Sequence, residues 1–230
     1  PAAPGGDLRA TMSAHGVRLA TDLADHILRL PLDRTVTPPT ANQPRPHTSV
    51  RHIGAGDGLG TAESTAVLTA AASHSTTPAA VLGAAAVRAI GRYLQVRRFV
   101  VHMPMTLRRS SADFSTLGCL VTSMPVLVDL SGAGPAADHL TRWQGSVAAS
   151  AQHAFADPEV LTRELIQRSR EFAKSPRISL AFESPLRGSQ GAVSWHQRQT
   201  EDIAKFDLAV HLDAHTDSVD DSQTLCTTVH

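Results

Sequence analysis

Residues 170–178 of this 230-residue chain read Arg-Glu-Phe-Ala-Lys-Ser-Pro-Arg-Ile, and residues 205–208 read Lys-Phe-Asp-Leu. Each stretch places charged residues directly before an apolar run that is typical of a strand. The two runs predict strands over Ile178 to Phe182 and Phe206 to Leu212. The first strand follows a predicted helix that starts at Asp157-Pro158, a capping residue followed by proline, and ends near Phe172.

The rest of the chain alternates between helical and strand patterns. Thr77-Pro78 begins a helix that runs to about Leu94 and buries a stripe formed by Val81, Leu82, Ala85, Ala86, Ala89, Ile90 and Tyr93. Further helices are predicted over 13–30, 61–73 and 138–155, and further strands over 98–103 and within 117–130. Residues 1–12 are expected to be disordered, 31–60 to form an extended connector, and 216–224 to form a loop. This alternation predicts an α/β fold in which helices flank a mixed sheet.

Composition excludes several functions. Lys plus Arg equals Asp plus Glu at 21 each, so the chain lacks the clustered positive charge that nucleic acid requires. No apolar run is long enough to span a membrane. Two distant cysteines and the lack of a signal segment favour the reducing cytoplasm. Because the sequence begins at Pro1, we expect a fragment, a processed product or a trimmed protein.

Seven motifs occur in an order that matches one known family. They are Leu-Pro-Leu-Asp-Arg at 30–34, the Thr-Pro helix ending Gly-Arg-Tyr at 91–93, the strand at 100–105 followed by Arg108, Leu-Gly-Cys-Leu-Val-Thr at 117–122, the His153 to Glu159 segment, 170–178 and 205–208. Together they resemble the C-terminal half of the condensation domains of nonribosomal peptide synthetases. The resemblance implies a chloramphenicol-acetyltransferase-like lobe, which is half of a condensation domain.

That resemblance implies a domain organisation and a set of partners. Residues 1–60 would form a disordered start, a helix and a connector, and 61–230 the C-terminal lobe, incomplete at its C-terminus. The catalytic histidine of the family lies in a His-His-x-x-x-Asp-Gly string of the N-terminal lobe, which this sequence lacks. The expected partners are therefore that N-terminal lobe and peptidyl or acyl carrier proteins, with no cofactor except the carriers' phosphopantetheine arm.

The resemblance also assigns roles to individual residues. Arg170 matches an arginine that pairs with the aspartate of the catalytic string, so we expect it to support the active site at the lobe interface. A surface arginine at a helix C-terminus is an equally good interpretation. Gly118, Thr122 and Ser123 are expected to line the tunnel, while a strand bulge is the alternative for Gly118. No residue of this chain is predicted to be catalytic.

Other side chains that could carry chemistry are interpreted as structural. His211, Asp213 and His215 share one strand face but do not converge on a tetrahedral ion, so no metal site is predicted. His139 and His153 are expected on helix surfaces. Cys119 is expected as a small core residue in a strand.

Three functions remain open from the sequence. The first is an acyltransferase lobe that completes the tunnel in which an amine or hydroxyl attacks a carrier-bound thioester, giving an amide or an ester. This lobe would be inactive alone. The second is a non-catalytic condensation-like module that recruits carrier proteins or tailoring enzymes. The third is an epimerization domain or a coenzyme-A acyltransferase of the same fold.

Overall fold

The computed structural model describes residues 59–108, 110–132 and 134–154 as its longest continuous stretches. Shorter described stretches are 51–53, 163–167, 177–183, 206–216 and 223–229, with single positions at 10, 14 and 17. The helices are α1 (Thr61–Ser73), α2 (Pro78–Leu94), α3 (Ser111–Phe114) and α4 (Ala136–Ala151). The strands are β1 (Arg51–Ile53), β2 (Arg98–Thr106), β3 (Val121–Asp129), β4 (Ile178–Glu183), β5 (Leu208–Thr216) and β6 (Gln223–Val229).

The chain divides into two compact units, each built from two separate segments. One unit combines Pro1–Pro31 with Ala80–Arg177, and the other combines Leu32–Ala79 with Ile178–His230.

In the first unit β2 and β3 form a long antiparallel hairpin. The register pairs Arg98 with Asp129 at one end and Thr106 with Val121 at the other. Both strands are rich in Val, whose branched side chain favours a pleated, half-buried surface. The fully buried members of this hairpin are Phe99, Val101, Met124 and Val126, with Val128 nearly so.

Helix α4 packs on β3 and fixes it by a side-chain hydrogen bond. The Ser150 hydroxyl, which is buried, donates to the carbonyl oxygen of Pro125 over 2.8 Å. A buried apolar cluster contains Val100 and Met124 of the hairpin together with Ala154 and Leu165. A helix was predicted over 138–155, and α4 confirms it with bounds of Ala136–Ala151.

Helix α2 begins at Pro78 and ends at Leu94, as the Thr77-Pro78 pair predicts. The predicted apolar stripe is confirmed at Leu82 and Ile90, which are buried, but it is wrong at Tyr93, which is 73% exposed, and at Ala85 and Ala89, which are also exposed. Besides Leu82 and Ile90, the buried face contains Ala84, Val87 and two glycines, Gly83 and Gly91.

Those glycines are buried because other elements approach them closely. A Cβ atom at Gly83 would lie 2.9 Å from Nε1 of Trp143 on α4. A Cβ at Gly91 would overlap the side chain of Leu130 and lie 3.0 Å from the carbonyl oxygen of Val96. At these two positions the helix therefore packs through glycine, beside the larger buried side chains of Leu82, Val87 and Ile90.

The second unit contains a four-stranded mixed sheet in the order β1-β6-β5-β4. β4 and β5 are parallel, and β6 is antiparallel to both β5 and β1. Helix α1 contacts β6. The β4 and β5 strands were predicted, whereas β1 lies within the predicted connector and β6 was not predicted. The fold is α/β with a mixed sheet flanked by helices, as expected.

Several predicted elements lie outside the described residues. These are most of the helix over 13–30, most of the connector over 31–58, and the helix from Asp157 to Phe172 except for residues 163–167, which are helical. The lobe boundaries at residues 60 and 61 remain a prediction.

Candidate functional site

The residues predicted to line a tunnel lie at the outer end of the β2–β3 hairpin. The connection between the two strands runs from residue 107 to residue 120 and includes the short helix α3. Its ends are joined by a hydrogen bond from the backbone N–H of Leu107 to the carbonyl oxygen of Leu120, over 2.8 Å. This hydrogen bond extends the pairing of the two strands by one step into the connection.

The side chain of Arg108 binds several backbone carbonyls of this loop. Its guanidinium donates to the backbone carbonyls of Asp113, of Thr116 over 2.9 Å and of Gly118 over 3.1 Å. A planar fork with several donors suits this task because it can serve diverging carbonyls at once. The Arg108 side chain thus links three backbone carbonyls of the connection. The sequence marks Arg108 only as the arginine that follows a strand.

A capping box fixes the start of α3. The Ser110 hydroxyl accepts from the backbone N–H of Asp113 over 3.3 Å, and the Asp113 carboxylate accepts from the backbone N–H of Ser110 over 2.7 Å. This reciprocal pair satisfies two donors that a helix start leaves open. Both ends of the loop are therefore held, and the apolar side chains of Phe114 and Leu117 remain exposed.

Gly118 lies between α3 and β3, not within the strand. Its φ of +150° is a value that residues with a side chain rarely adopt. A Cβ at this position would meet nothing within 4 Å. Glycine is favoured here by backbone conformation rather than by space, and because Gly118 lies outside β3 the strand-bulge interpretation is wrong. Its role in lining a tunnel remains a prediction.

Thr122 and Ser123 follow in β3, opposite Met105 and Pro104. Successive strand residues point to opposite faces, so these two side chains do not share one surface. Ser123 is exposed, while Thr122 is half-buried and its Oγ1 makes no hydrogen bond to any described residue. A buried hydroxyl without a partner costs free energy, which makes Thr122 the stronger of the two candidates for a ligand contact.

His102 is a further candidate that the sequence analysis missed. It lies on β2 opposite Pro125 and is half-buried. Burial lowers the pKa of this imidazole, and the positive charge of Arg177 lowers the pKa further. The ring is therefore neutral near pH 7 and able to accept a proton or a hydrogen bond. The sequence signal that could have identified His102 is a single histidine within the strand-forming run of β2.

The opposite end of the hairpin is held by an ion pair. Arg98 Nη2 lies 3.0 Å from the Asp129 carboxylate, and both side chains are about one-third exposed at 38% and 33%. Burial works to raise the pKa of Asp129, but hydrogen bonds from Ser131 and the contact with Arg98 outweigh it, so the pKa lies below its usual value. This pair stabilises the base of the hairpin.

A small cavity lies beside this pair, between β3 and α4. Its volume is about 10 Å³, and its lining includes Asp129, His139, Arg142 and Trp143. Arg142 Nε is buried there without a hydrogen-bond partner among the described residues. A space of this size with polar walls suits one water molecule and no substrate.

Two sequence interpretations of single residues are wrong. His139 is buried, not on a helix surface, and its Nε2 lies 2.8 Å from the carbonyl oxygen of Ala84, joining α4 to α2. Cys119 is exposed and precedes β3, so it is not a core residue. The first difference arises because helical periodicity does not show which face a neighbouring element covers, and the second because β3 begins two residues after Cys119.

One predicted site residue and two predicted absences remain to be described. Arg170 lies outside the described residues. Within the described part of the chain, no three His, Cys, Asp or Glu side chains cluster closely enough to hold a metal ion. The same part contains no helix with the length and apolar character needed to cross a bilayer.

Sequence comparison finds no matching protein-family model and no matching curated protein. Structural comparison does find similar folds. The X-domain from teicoplanin biosynthesis has a TM-score of 0.68 and 17% identity over 95% of this chain and 48% of that one. In its complex with OxyB the same X-domain gives a TM-score of 0.63 and 16% identity, over 95% and 48% of the two chains.

Two other kinds of protein share the fold. The first condensation domain of the CDA synthetase has a TM-score of 0.62 and 15% identity over 95% of this chain and 45% of that one. The PapA2 acyl transferase has a TM-score of 0.58 and 14% identity over 97% and 48%. This chain has a condensation-domain-like fold and spans about half the length of each of these structures.

Proposed function

We propose that this chain is the C-terminal lobe of a condensation-type acyltransferase from a nonribosomal peptide or hybrid polyketide synthetase. The observation that carries the proposal is the likeness of nearly the whole chain to about half of the first CDA condensation domain. Such a lobe provides one wall of a tunnel, and a partner lobe with the catalytic histidine provides the other. The proposed chemistry depends on carrier proteins, and with it we propose a cytoplasmic location.

The reaction that the complete tunnel would perform is acyl transfer. An amine or hydroxyl attacks the carbonyl carbon of a thioester on the phosphopantetheine arm of a carrier protein. A new C–N or C–O bond forms, the C–S bond breaks, and the nucleophile's proton leaves with the released thiol. The histidine of the partner lobe would accept that proton on its way, as a general base does.

In this proposal the described residues shape the tunnel. The loop held by Arg108 and the β3 residue Thr122 form the wall past which the acyl-carrying arm runs, and Ser123, which points to the opposite face of the strand, does not belong to this wall. The unpartnered hydroxyl of Thr122 supports this, because a bound carbonyl or amide group would satisfy it. Arg170 would pair with the aspartate of the partner lobe's catalytic string and keep that string in place.

The role of Arg170 is tested in a protein that contains both lobes. Arg170→Ala should lower the rate of product formation from a loaded carrier by at least about tenfold, since the catalytic string loses its anchor. Arg163→Ala is the matched control, because Arg163 is an exposed helical arginine nearby in the sequence. Equal rates for the two variants would contradict the role given to Arg170.

A second candidate function is a non-catalytic module that recruits a carrier protein or a tailoring enzyme. It is favoured by the likeness to the teicoplanin X-domain, which has been solved in complex with OxyB. The two functions differ in one assay of the two-lobed protein with loaded carriers. Amide or ester product supports the transferase, whereas carrier binding without product supports the module. Inverted stereochemistry in the carrier-bound residue would indicate an epimerization domain. Acyl transfer from coenzyme A would indicate a coenzyme-A acyltransferase of the same fold.

A further inference from the structure

The outward face of α2 carries positive charge that nothing described neutralises. Arg88 and Arg92 are exposed, and Arg97 is exposed just beyond the helix end. Among the described residues, none of these three side chains takes part in an ion pair or side-chain hydrogen bond. Every charged side chain between residues 64 and 112 is an arginine. The patch is therefore a local positive field on a chain whose formal net charge is zero.

The spacing of these arginines is unfavourable for the helix by itself. Arg88 and Arg92 are four residues apart, so their side chains are neighbours on one face, and like charges at this spacing destabilise a helix. Arg92 lies in the last turn, where the helix dipole favours a cation, but Arg88 lies outside it. The dipole therefore explains one arginine and not the pair.

The residues between the arginines suit a close contact with another helix. Ala85 and Ala89 are exposed and small, so the backbone of a partner can approach. Tyr93 is 73% exposed, so most of its side chain is available to a partner. Tyrosine and arginine are the residues that contribute most often to the binding energy of protein interfaces.

We propose that this arginine face, formed by Ala85, Arg88, Ala89, Arg92 and Tyr93 together with Arg97, docks an acidic helical surface of a partner protein. Carboxylates of the partner would pair with the three arginines, while its backbone packs over the two alanines and against the Tyr93 ring. The patch is too short for a nucleic-acid track and too poor in apolar side chains for a membrane surface. The inference rests on charge and exposure, and holds whether or not the chain is an acyltransferase.

The probe is a synthetic helical peptide of about 20 residues with Glu at every fourth position, and its twin carries Gln in place of Glu. Binding is measured by fluorescence anisotropy at low and at physiological salt. The chain should bind the Glu peptide, ignore the Gln peptide, and bind more weakly as salt rises, since the contact is electrostatic.

Variants then assign the binding to the face. The double variant Arg88→Glu with Arg92→Glu should weaken binding by at least about tenfold, and Tyr93→Ala by about threefold. Arg163→Glu should stay within about twofold, because Arg163 is exposed on another helical segment. Circular dichroism confirms that each variant is folded, and an Arg88→Ala, Arg92→Ala pair repeats the test without added negative charge.

The proposal is overturned if the chain does not bind the Glu peptide, or if Arg163→Glu reduces binding as much as the double variant. Tighter binding to a DNA duplex or to anionic vesicles than to the peptide would also overturn it, because the face would then serve another class of partner.

Discussion

The guanidinium of Arg108 donates a hydrogen bond to the carbonyl oxygen of Gly118 over 3.1 Å, across the loop that joins β2 to β3. Two more carbonyls of the same loop, those of Asp113 and Thr116, accept from the same group. Arg108 therefore holds the start of the loop against its later residues, which lead into β3 and Thr122. If this region lines a tunnel, the shape of that wall depends on Arg108.

Removing this side chain should loosen the loop without unfolding the hairpin. Arg108→Ala deletes three charge-assisted hydrogen bonds, and because the side chain is half-exposed we expect a loss of only about 1–2 kcal/mol in the free energy of unfolding. Amide hydrogen exchange should accelerate between residues 113 and 120 and stay unchanged over β2. Arg108→Lys keeps the positive charge but not the planar guanidinium, so its stability and loop exchange rates should lie between those of the natural chain and of Arg108→Ala. Unchanged protection in the loop would contradict the role of Arg108.

Gly118 and Gly145 offer a matched pair of substitutions. A Cβ at either position would meet nothing within 4 Å, so crowding does not enter. Gly118 has a φ of +150°, so Gly118→Ala should destabilise the chain by about 1 kcal/mol or more. Gly145 lies in α4, so Gly145→Ala should stabilise it by about 0.5–1 kcal/mol. Urea unfolding of both variants measures the difference, and the same sign for both would show that backbone conformation is not what selects glycine at 118.

His102 should make stability depend on pH. Its pKa in the folded chain lies below the ordinary value of 6.5, because burial and then Arg177 disfavour the charged ring. The unfolded state therefore binds the proton more readily, and protonation favours unfolding. Stability from this group is fully present above about pH 6.5 and is lost as the pH falls through the lower folded-state pKa. Urea unfolding near pH 7.5 and near pH 5.5 should show a steeper loss for the natural chain than for His102→Asn.

The contribution of Arg177 is measured separately by nuclear magnetic resonance. Titration of the His102 imidazole signals should give a pKa below 6.5. Arg177→Gln should raise the pKa of His102 but leave it below 6.5, because burial is the larger cause of the shift. Arg163→Gln should leave it unchanged. A folded-state pKa at or above 6.5 would show that the environment of His102 is not the one described.

His139 should contribute to stability and not to activity. His139→Ala removes the hydrogen bond to the carbonyl of Ala84 and leaves a cavity between α2 and α4, so we expect a loss of about 1–3 kcal/mol. Thr141→Ala, an exposed position on the same helix, should change stability by less than about 0.5 kcal/mol. Thermal or urea unfolding of the two variants compares them. Equal effects would contradict the buried contact.

Elements with a strong local signal could be predicted from the sequence. The Thr77-Pro78 pair predicts the start of α2, since a hydroxyl cap and a proline suit only the first turn. The valine-rich runs predict β2 and β3. In contrast, β6 reads Gln-Thr-Leu-Cys-Thr-Thr-Val, which is largely polar, and it forms a strand by pairing with β5 and β1. A strand that depends on such pairing carries little signal of its own.

The face that a helix buries was harder to predict than the helix. Hydrophobic periodicity gives weight to Tyr93 and none to Gly83 or Gly91, yet the glycines are buried and the tyrosine is exposed. The reason is that Trp143 and Leu130 need the space which a missing Cβ leaves. The candidate site shows the same limit. Gly118 and Thr122 could be chosen from their motif, but the three carbonyls that Arg108 binds and the buried setting of His102 depend on contacts that only the folded chain makes.

The most direct test of the central claim is single-turnover product formation by this chain. The assay supplies an acyl group on one carrier protein and an amine on another, and measures amide by mass spectrometry. The chain alone should form no product above the uncatalysed background, and adding the partner lobe with its histidine string should restore transfer. Catalysis by the chain alone would show that it carries its own proton-handling group, and would contradict the account of it as one wall of a two-lobed enzyme.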